Sequence, residues 1–133
     1  MKKIEHIGIA VKNLEVSNLI FEKLLGAPAY KFEDVESEGV STSFFATGPN
    51  KIELLAATNS DSPIAKFIEK KGEGIHHIAF DVEDIVSEIA RLKKEGFMVL
   101  NETPKKGADN KLVAFLHPKS TNGVLIELCQ EIK

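Results

Sequence analysis

The pattern of apolar and polar residues predicts the same strand-and-helix unit twice along the chain. The segment KIEHIGIAV (3–11) alternates as a strand does, and IHHIAFDV (75–82) repeats it. A helix is predicted after each strand. In the second helix, apolar residues recur at the i, i+1, i+4, i+7 spacing that marks one buried face, namely Ile85, Val86, Ile89 and Leu92.

Capping residues set the limits of the predicted helices. The first helix should begin after Asn13 and end at Gly26, and the second should begin after Asp84 and end at Gly96. Three strands are predicted after each helix, near 28–34, 40–47, 51–57, 97–101, 112–117 and 123–130. A short connecting helix is predicted between the halves, with Ser62 as its cap and with proline at its first position.

The two halves also match residue by residue, which indicates an internal duplication. IEL (52–54) matches IEL (126–128). At an offset of 71 residues, four positions near the start of each half are identical: Ile4, His6, Ile7 and Val11 against Ile75, His77, Ile78 and Val82. We therefore predict one α+β domain over 1–133, made of two tandem βαβββ modules. The first module covers about 3–57 and the second about 74–130, and the connecting helix between them covers about 61–71.

Strand geometry predicts where the polar residues of these modules point, because successive side chains alternate between faces. Ile7 and Ile9 share a bulky apolar face that suits a packed helix, whereas His6 lies on the other face beside small residues. Glu53 and Glu127 likewise lie opposite their apolar neighbours. Two equivalent half-sheets related by pseudo-twofold symmetry would gather four polar groups in one cavity: His6, Glu53, His77 and Glu127.

Two imidazoles and two carboxylates suit a divalent transition metal ion. A bound cation also removes the cost of burying the two carboxylates. His76 is adjacent to His77 but lies on the helix-facing side, so we predict a structural role for it. Phe44, Phe45 and Phe115 are assigned to the core, because aromatic residues favour strands.

Composition excludes several other classes of protein. The net charge is −3 and no run of Lys and Arg exceeds two residues, which argues against nucleic acid or a membrane as partner. The single cysteine, Cys129, excludes an internal disulfide and the multi-cysteine zinc motifs. No signal peptide and no membrane-length apolar stretch is present, so we expect a cytoplasmic protein. No glycine-rich nucleotide motif is present, which argues against a nucleotide-binding fold.

Three stretches resemble a known family. They are HIGIAVKNL (6–14), DSPIAKFIEKKGEGIHHIAF (61–80) and FLHPKSTNGVLIEL (115–128). The paired modules with their His/Glu set look like the vicinal oxygen chelate superfamily, which includes glyoxalase I and the extradiol dioxygenases. Within it, the chain is similar to the methylmalonyl-CoA epimerases over nearly its whole length. This resemblance implies a cupped, half-barrel-like mixed sheet around the metal site, with the helices on its outer face.

The resemblance also implies a reaction: interconversion of the (2R) and (2S) forms of methylmalonyl-CoA through a metal-stabilised enolate. The ligands carry over to His6, His77 and Glu127, with Glu53 at the remaining position. Glu127 and Glu53 would be the catalytic carboxylates. The metal would most often be cobalt, with manganese, nickel or zinc as alternatives, and the chain would form a homodimer.

One position departs from part of the family. Some members carry a second acidic base two residues after the GV that matches 39–40, where this chain has Thr42. The group on the opposite face of the substrate could then be Glu53, a bound water, Glu36 or Glu38. Thr42 is kept as a candidate substrate contact.

His117 and Lys119 are further candidate substrate contacts, and Lys119 could meet a CoA phosphate or the substrate carboxylate. Two alternative functions are a glyoxalase-I-like metal-dependent isomerase or lyase and a small-molecule-binding resistance-type protein. The four predicted ligands disfavour the second, because a binding protein needs the cavity but not the metal set. Glu53 as a fourth ligand disfavours a ring-cleaving dioxygenase, which needs open positions on its iron.

Overall fold

The computed structural model describes all 133 residues and divides the chain into two units. The N-terminal unit comprises His6–His76, and the C-terminal unit comprises Met1–Glu5 and His77–Lys133. The helices are α1 Leu14–Leu25, α2 Pro63–Lys71 and α3 Ile85–Lys94. The strands are β1 Lys3–Ala10, β2 Lys31–Val35, β3 Val40–Thr47, β4 Asn50–Ala57, β5 Gly74–Asp81, β6 Lys105–Lys106, β7 Lys111–Leu116 and β8 Ile126–Glu131. None of the helices has the length and apolar character of a membrane span.

The N-terminal unit has a mixed sheet in the order β2-β3-β4-β1. β1 runs parallel to β4, and the other neighbours are antiparallel. Helix α1 covers one face, where Phe21 packs in the same cluster as Phe45 and Leu54. Helix α2 covers part of the opposite face, where Ile64 packs against Leu55. Both faces of this sheet are therefore partly buried.

The C-terminal unit repeats this arrangement, with the strand order β5-β8-β7-β6 and β5 parallel to β8. The buried side chains of α3 are Ile85, Ile89 and Leu92, which pack against Leu116 and Leu128. Val86, which the sequence pattern placed in the same buried stripe, is 65% exposed. One residue along a helix turns the side chain by about 100°, which carries Val86 away from the sheet.

The predicted helix caps are confirmed. Side-chain oxygens of Asn13, Ser62 and Asp84 each accept a backbone N–H three residues further on, at 3.0, 3.1 and 3.2 Å. The hydrogen bonds from Ser87 hold the pKa of the Asp84 carboxyl below its usual range. Gly26 ends α1 in the left-handed conformation, with φ of 77°. These local contacts explain why the helix limits were predictable.

Three predicted strands differ in the structure. The last one begins at Ile126 rather than at residue 123, because the preceding residues form a turn in which the Val124 N–H donates to the Thr121 carbonyl. β2 begins at Lys31 rather than near residue 28. Pro28 has no N–H to donate to a sheet, and the residue before β2 contacts β3 through the Tyr30 N–H, which donates to the Phe44 carbonyl at 2.9 Å. The predicted strand at 97–101 forms only an isolated bridge between Val99 and Leu116. Beyond it, the Asn101 side-chain oxygen, and not a backbone carbonyl, accepts the N–H of Phe115 at 3.0 Å, so the ladder stops. The edge strand of this unit is instead the two-residue β6.

Candidate functional site

The N-terminal unit holds the first predicted pair of polar residues. His6 lies on β1 and Glu53 on the neighbouring β4, where the Cα partner of Glu53 is Gly8. The imidazole Nδ1 of His6 is 3.0 Å from the Oε2 of Glu53. Both residues are only 4% exposed. Gly8 has no side chain, so the histidine two residues before it meets the glutamate diagonally across the strands.

The C-terminal unit holds the second pair in the same arrangement. His77 lies on β5 and Glu127 on β8, with Ala79 as the Cα partner of Glu127. Here the Nε2 of His77 is 3.0 Å from the Oε1 of Glu127, and both residues are buried. Each unit thus combines a histidine, a glutamate and a small residue between them. The two histidines use different ring nitrogens for the contact.

A phenylalanine accompanies each pair, which the sequence analysis did not recognise. Phe44 is the Cα partner of Glu53, and Phe115 is the Cα partner of Glu127, so each lies on the glutamate face of its sheet. The ring of Phe115 stands edge-on to that of His77, with centroids 6.1 Å apart. Phe44 and Phe115 are related by the same 71-residue offset as the histidines, and that repeat is the signal that could have identified them.

The donor atoms of each pair fit a divalent metal ion. Imidazole nitrogen and carboxylate oxygen bind first-row metals at about 2.0–2.2 Å. Two such ligand atoms on one ion would therefore lie about 3–3.5 Å apart, depending on the angle between them. The observed nitrogen–oxygen separations are 3.0 Å in both pairs, a distance that also suits a hydrogen bond when no ion is bound. His6 with Glu53 and His77 with Glu127 are therefore candidate ligands.

Thr42 lies on the same sheet face as Glu53, two residues along β3 from Phe44. It is 1% exposed, and its hydroxyl has no hydrogen-bond partner. Such a buried hydroxyl is costly unless something binds it. The neighbouring Ser43 is also buried with an unpartnered hydroxyl, but it lies on the opposite face, towards α1.

The other predicted substrate contacts, His117 and Lys119, lie in the turn after β7. The Nδ1 of His117 accepts the backbone N–H of Lys119 at 2.9 Å, so this ring caps the short 3-10 turn Pro118–Ser120. The side chain of Lys119 is exposed. His117 follows directly after β7, whose Phe115 lies on the glutamate face of the C-terminal unit. These two residues keep their predicted role as candidates.

Several other residues do not belong to the two His–Glu pairs. Glu36 and Glu38 belong to a short 3-10 turn and line a surface cleft of about 230 Å³ with the residues that begin α2. His76 packs edge-on against Phe67 of α2, with ring centroids 4.9 Å apart, which agrees with its predicted structural role. Cys129 is buried, and this burial together with nearby carboxylates raises the pKa of its thiol far above the usual range.

Comparison with known proteins assigns the family. The model of the Glyoxalase/Bleomycin resistance protein/Dioxygenase superfamily matches residues 5–115. The chain belongs to this superfamily. This membership agrees with the resemblance predicted from the sequence and with the two βαβββ units described above.

Two relatives and one solved structure are similar to this chain over nearly its whole length. The ethylmalonyl-CoA/methylmalonyl-CoA epimerase of Cereibacter sphaeroides is 44% identical over 130 residues, covering 96% of this chain and 97% of the relative. The mitochondrial methylmalonyl-CoA epimerase of Homo sapiens is 41% identical, covering 96% of this chain and 73% of the relative. A solved methylmalonyl-CoA epimerase in complex with methylmalonyl-CoA and NH4+ has a TM-score of 0.94 at 33% identity, covering 98% of this chain and 95% of that structure. The predicted fold class is thereby confirmed.

Proposed function

We propose that this chain is a methylmalonyl-CoA epimerase, an isomerase that interconverts the (2R) and (2S) forms of its CoA thioester substrate. The observation that carries the proposal is the buried His–Glu pair that recurs in both units, each with a nitrogen–oxygen separation of 3.0 Å. Relatives at 41–44% identity over nearly the whole chain carry this name, which supports the substrate class.

The chemistry explains why such a site is needed. The substrate carbon to be inverted lies between a thioester and a carboxylate, and removing its proton leaves negative charge on the thioester oxygen. A divalent metal ion held by His6, Glu53, His77 and Glu127 would stabilise that charge as a Lewis acid by several kcal/mol. Cobalt is the metal expected from the resemblance, with manganese, nickel or zinc as alternatives. The phenylalanines beside the pairs would exclude water and strengthen the electrostatic interactions.

Inversion requires a proton to leave one face of the carbon and another to arrive on the opposite face. In this proposal Glu127 serves one face, because its carboxylate is buried beside His77 in the candidate site. His117 and Lys119 are proposed to contact the substrate, and Thr42 is proposed to act beside it through its buried hydroxyl. Lys119 would bind a CoA phosphate or the substrate carboxylate through its exposed ammonium group.

The proposal is tested by following deuterium from D₂O into C2 of each methylmalonyl-CoA epimer, with metal-loaded and chelator-treated protein. Metal-dependent exchange coupled to loss of optical purity is expected. Stoichiometric metal binding without exchange would reject the epimerase and favour a glyoxalase-I-like enzyme on another substrate. Parallel assays with methylglyoxal–glutathione hemithioacetal separate these two functions directly.

A homodimer is also proposed, on the basis of an exposed apolar stripe on α1. Its large apolar side chains Val16, Leu19, Ile20 and Leu24 are 55%, 60%, 56% and 69% exposed. At the offset of 71, the corresponding residues are Ser87, Ala90 and Arg91 of α3 and Glu95, which directly follows α3. The duplicated helix therefore has an ordinary polar outer face in one copy and an apolar one in the other, as expected where a second copy of the chain packs.

The dimer is tested by sedimentation of Ile20→Lys, with Val86→Lys on α3 as the control. Both substitutions place a lysine at an exposed apolar position, so their solvation cost is similar. Only Ile20→Lys is expected to yield monomers at micromolar concentration. A monomeric wild-type protein, or dissociation by both variants, would reject α1 as the interface.

A cytoplasmic location stays a prediction from the sequence.

A further inference from the structure

We propose that Glu33 is the second proton-transfer residue of this enzyme and that the buried hydroxyl of Thr42 positions its carboxylate. This inference rests on the proposed epimerase function. It replaces the candidates that the sequence left open for the opposite face of the substrate carbon, namely Glu53, a bound water, Glu36 and Glu38.

The strand register places Glu33 on the required face. Glu33 of β2 is the Cα partner of Thr42 on β3, and Thr42 is in turn the partner of Leu55 on β4. Directly opposed residues share a face, with Cβ atoms about 4.5–5.5 Å apart. Glu33 and Thr42 therefore lie on the same face of the N-terminal unit as Glu53. The side chain of Glu33 remains 32% exposed, so a substrate can reach it.

The alternative carboxylates are engaged elsewhere. Glu53 is buried at 3.0 Å from His6, in the position of a proposed metal ligand. Glu36 and Glu38 lie in the 3-10 turn beside the start of α2, where Asn59 and the N-cap of that helix line the same cleft. On the sheet face that carries Glu53, β2 supplies Glu33 as its carboxylate, because Asp34 alternates to the other face and accepts the Ser41 hydroxyl at 2.7 Å.

The contacts of Glu33 suit a group that changes partners. An oxygen of Glu33 is 3.5 Å from the Nζ of Lys31, and both side chains are about one-third exposed. Exposed ion pairs of this kind contribute little to stability. A buried, unpartnered hydroxyl such as that of Thr42 gains more when it finds an acceptor. Moving the Glu33 carboxylate from Lys31 to Thr42 is therefore energetically accessible.

The proton-transfer step balances with these groups. The C2–H bond of the substrate breaks, the proton forms an O–H bond with the Glu33 carboxylate, and the bonding electron pair moves onto the thioester oxygen as the enolate. Glu127, in its protonated form, then returns a proton to the opposite face. In the reverse direction the two carboxylates exchange roles. Thr42 donates its hydroxyl hydrogen to Glu33 throughout and is a positioning residue, not an acid or base.

The test compares Glu33→Gln with Asp34→Asn, which removes a carboxylate from the adjacent position on the other face. In D₂O, the rate at which Glu33→Gln inverts the substrate at C2 should be at least 100-fold below that of wild type. One epimer should still exchange its C2 proton for deuterium without inverting. That epimer is the one deprotonated by Glu127. Asp34→Asn should behave as wild type in both assays. Inversion by Glu33→Gln within threefold of wild type, or equal loss of exchange from both epimers, would overturn the proposal.

Thr42 is tested by Thr42→Val, Thr42→Ser and the control Ser43→Ala. Thr42→Val removes the unpartnered hydroxyl, so metal-free protein should melt a few degrees higher while kcat falls at least tenfold with KM little changed. Thr42→Ser should restore kcat. Ser43→Ala, on the opposite face, should leave kcat unchanged. Full activity of Thr42→Val would overturn the positioning role, whereas a wild-type protein that does not epimerise methylmalonyl-CoA would instead reject the proposed function.

Discussion

Replacing His77 tests the candidate metal centre, because the adjacent His76 provides a matched control. The two histidines are neighbours on β5 with opposite directions: His77 contacts Glu127, and His76 packs on Phe67. His77→Ala removes one partner of a buried carboxylate, and such losses cost about 3–5 kcal/mol. Since a domain of this size is stable by only about 5–15 kcal/mol, His77→Gln, which keeps a polar group near Glu127, is the better variant for folding.

The expected loss of metal-induced stabilisation can be calculated, because a ligand that binds only the folded state adds to its free energy of unfolding. A ligand present at about 1,000 times its Kd stabilises the folded state by about 4 kcal/mol. Loss of one of four ligands that weakens binding about 100-fold would reduce this gain by about 2.8 kcal/mol, because each tenfold change is about 1.4 kcal/mol. His77→Gln should therefore show a much smaller metal-induced increase in its free energy of unfolding. His76→Ala should keep the full increase, although its metal-free stability falls through lost packing.

The assay is chemical denaturation of wild type, His77→Gln and His76→Ala, each with and without cobalt, together with metal content after dialysis. Comparing differences within each protein cancels the effect of the substitution on the metal-free fold. Equal metal-induced stabilisation of wild type and His77→Gln would refute the ligand assignment. Loss of stabilisation in His76→Ala as well would show that metal binding depends on the strand rather than on the His77 imidazole.

Two further predictions concern catalysis and the backbone. Glu127→Gln should reduce epimerisation by about 10²–10⁴-fold and weaken metal binding, because an amide neither accepts the proton nor balances the ion; wild-type turnover with metal bound would contradict this. Gly39→Ala should destabilise the fold more than Gly26→Ala in denaturant titrations. Gly39 has a φ of 63° and Gly26 a φ of 77°, and alanine adopts such positive φ values at a cost of about 1–2 kcal/mol. The two positions differ in their surroundings. An added Cβ at Gly39 would lie 2.8 Å from the Cβ of Ser62, whereas an added Cβ at Gly26 would have nothing within 4 Å. Equal losses of stability at the two positions would show that the Ser62 contact relaxes freely.

The features that sequence predicted well are those encoded locally. Asn13, Ser62 and Asp84 cap their helices through contacts three residues away, so the sequence alone defines these helix starts. The His–Glu pairs were predictable for a different reason: the duplication repeats them in register, and strand alternation fixes their face. A histidine or a glutamate in a single copy would have carried no such information.

The features that sequence did not predict depend on contacts between strands. The strand expected at 97–101 stops because the Asn101 side chain accepts the Phe115 N–H, a bond between residues 14 positions apart. The role of Glu33 is not predictable from the sequence alone, because its face relative to Glu53 depends on the register of β2 on β3. Alternation within a strand of five residues does not specify which residue of β3 lies opposite Glu33. In the structure that residue is Thr42.

The duplication also shows where the two modules have diverged. Asn18 of α1 occupies the position of Ile89 in α3 at the 71-residue offset, and its side-chain oxygen is buried without a partner. On the same helix, Ile20 is 56% exposed where α3 has Arg91. Relative to α3, helix α1 thus has less apolar contact with its own sheet and more apolar surface on its outer side. Both differences cost stability in an isolated chain. A second copy packed on α1, as proposed above, would cover the outer apolar surface, whereas the buried Asn18 oxygen would keep its desolvation cost.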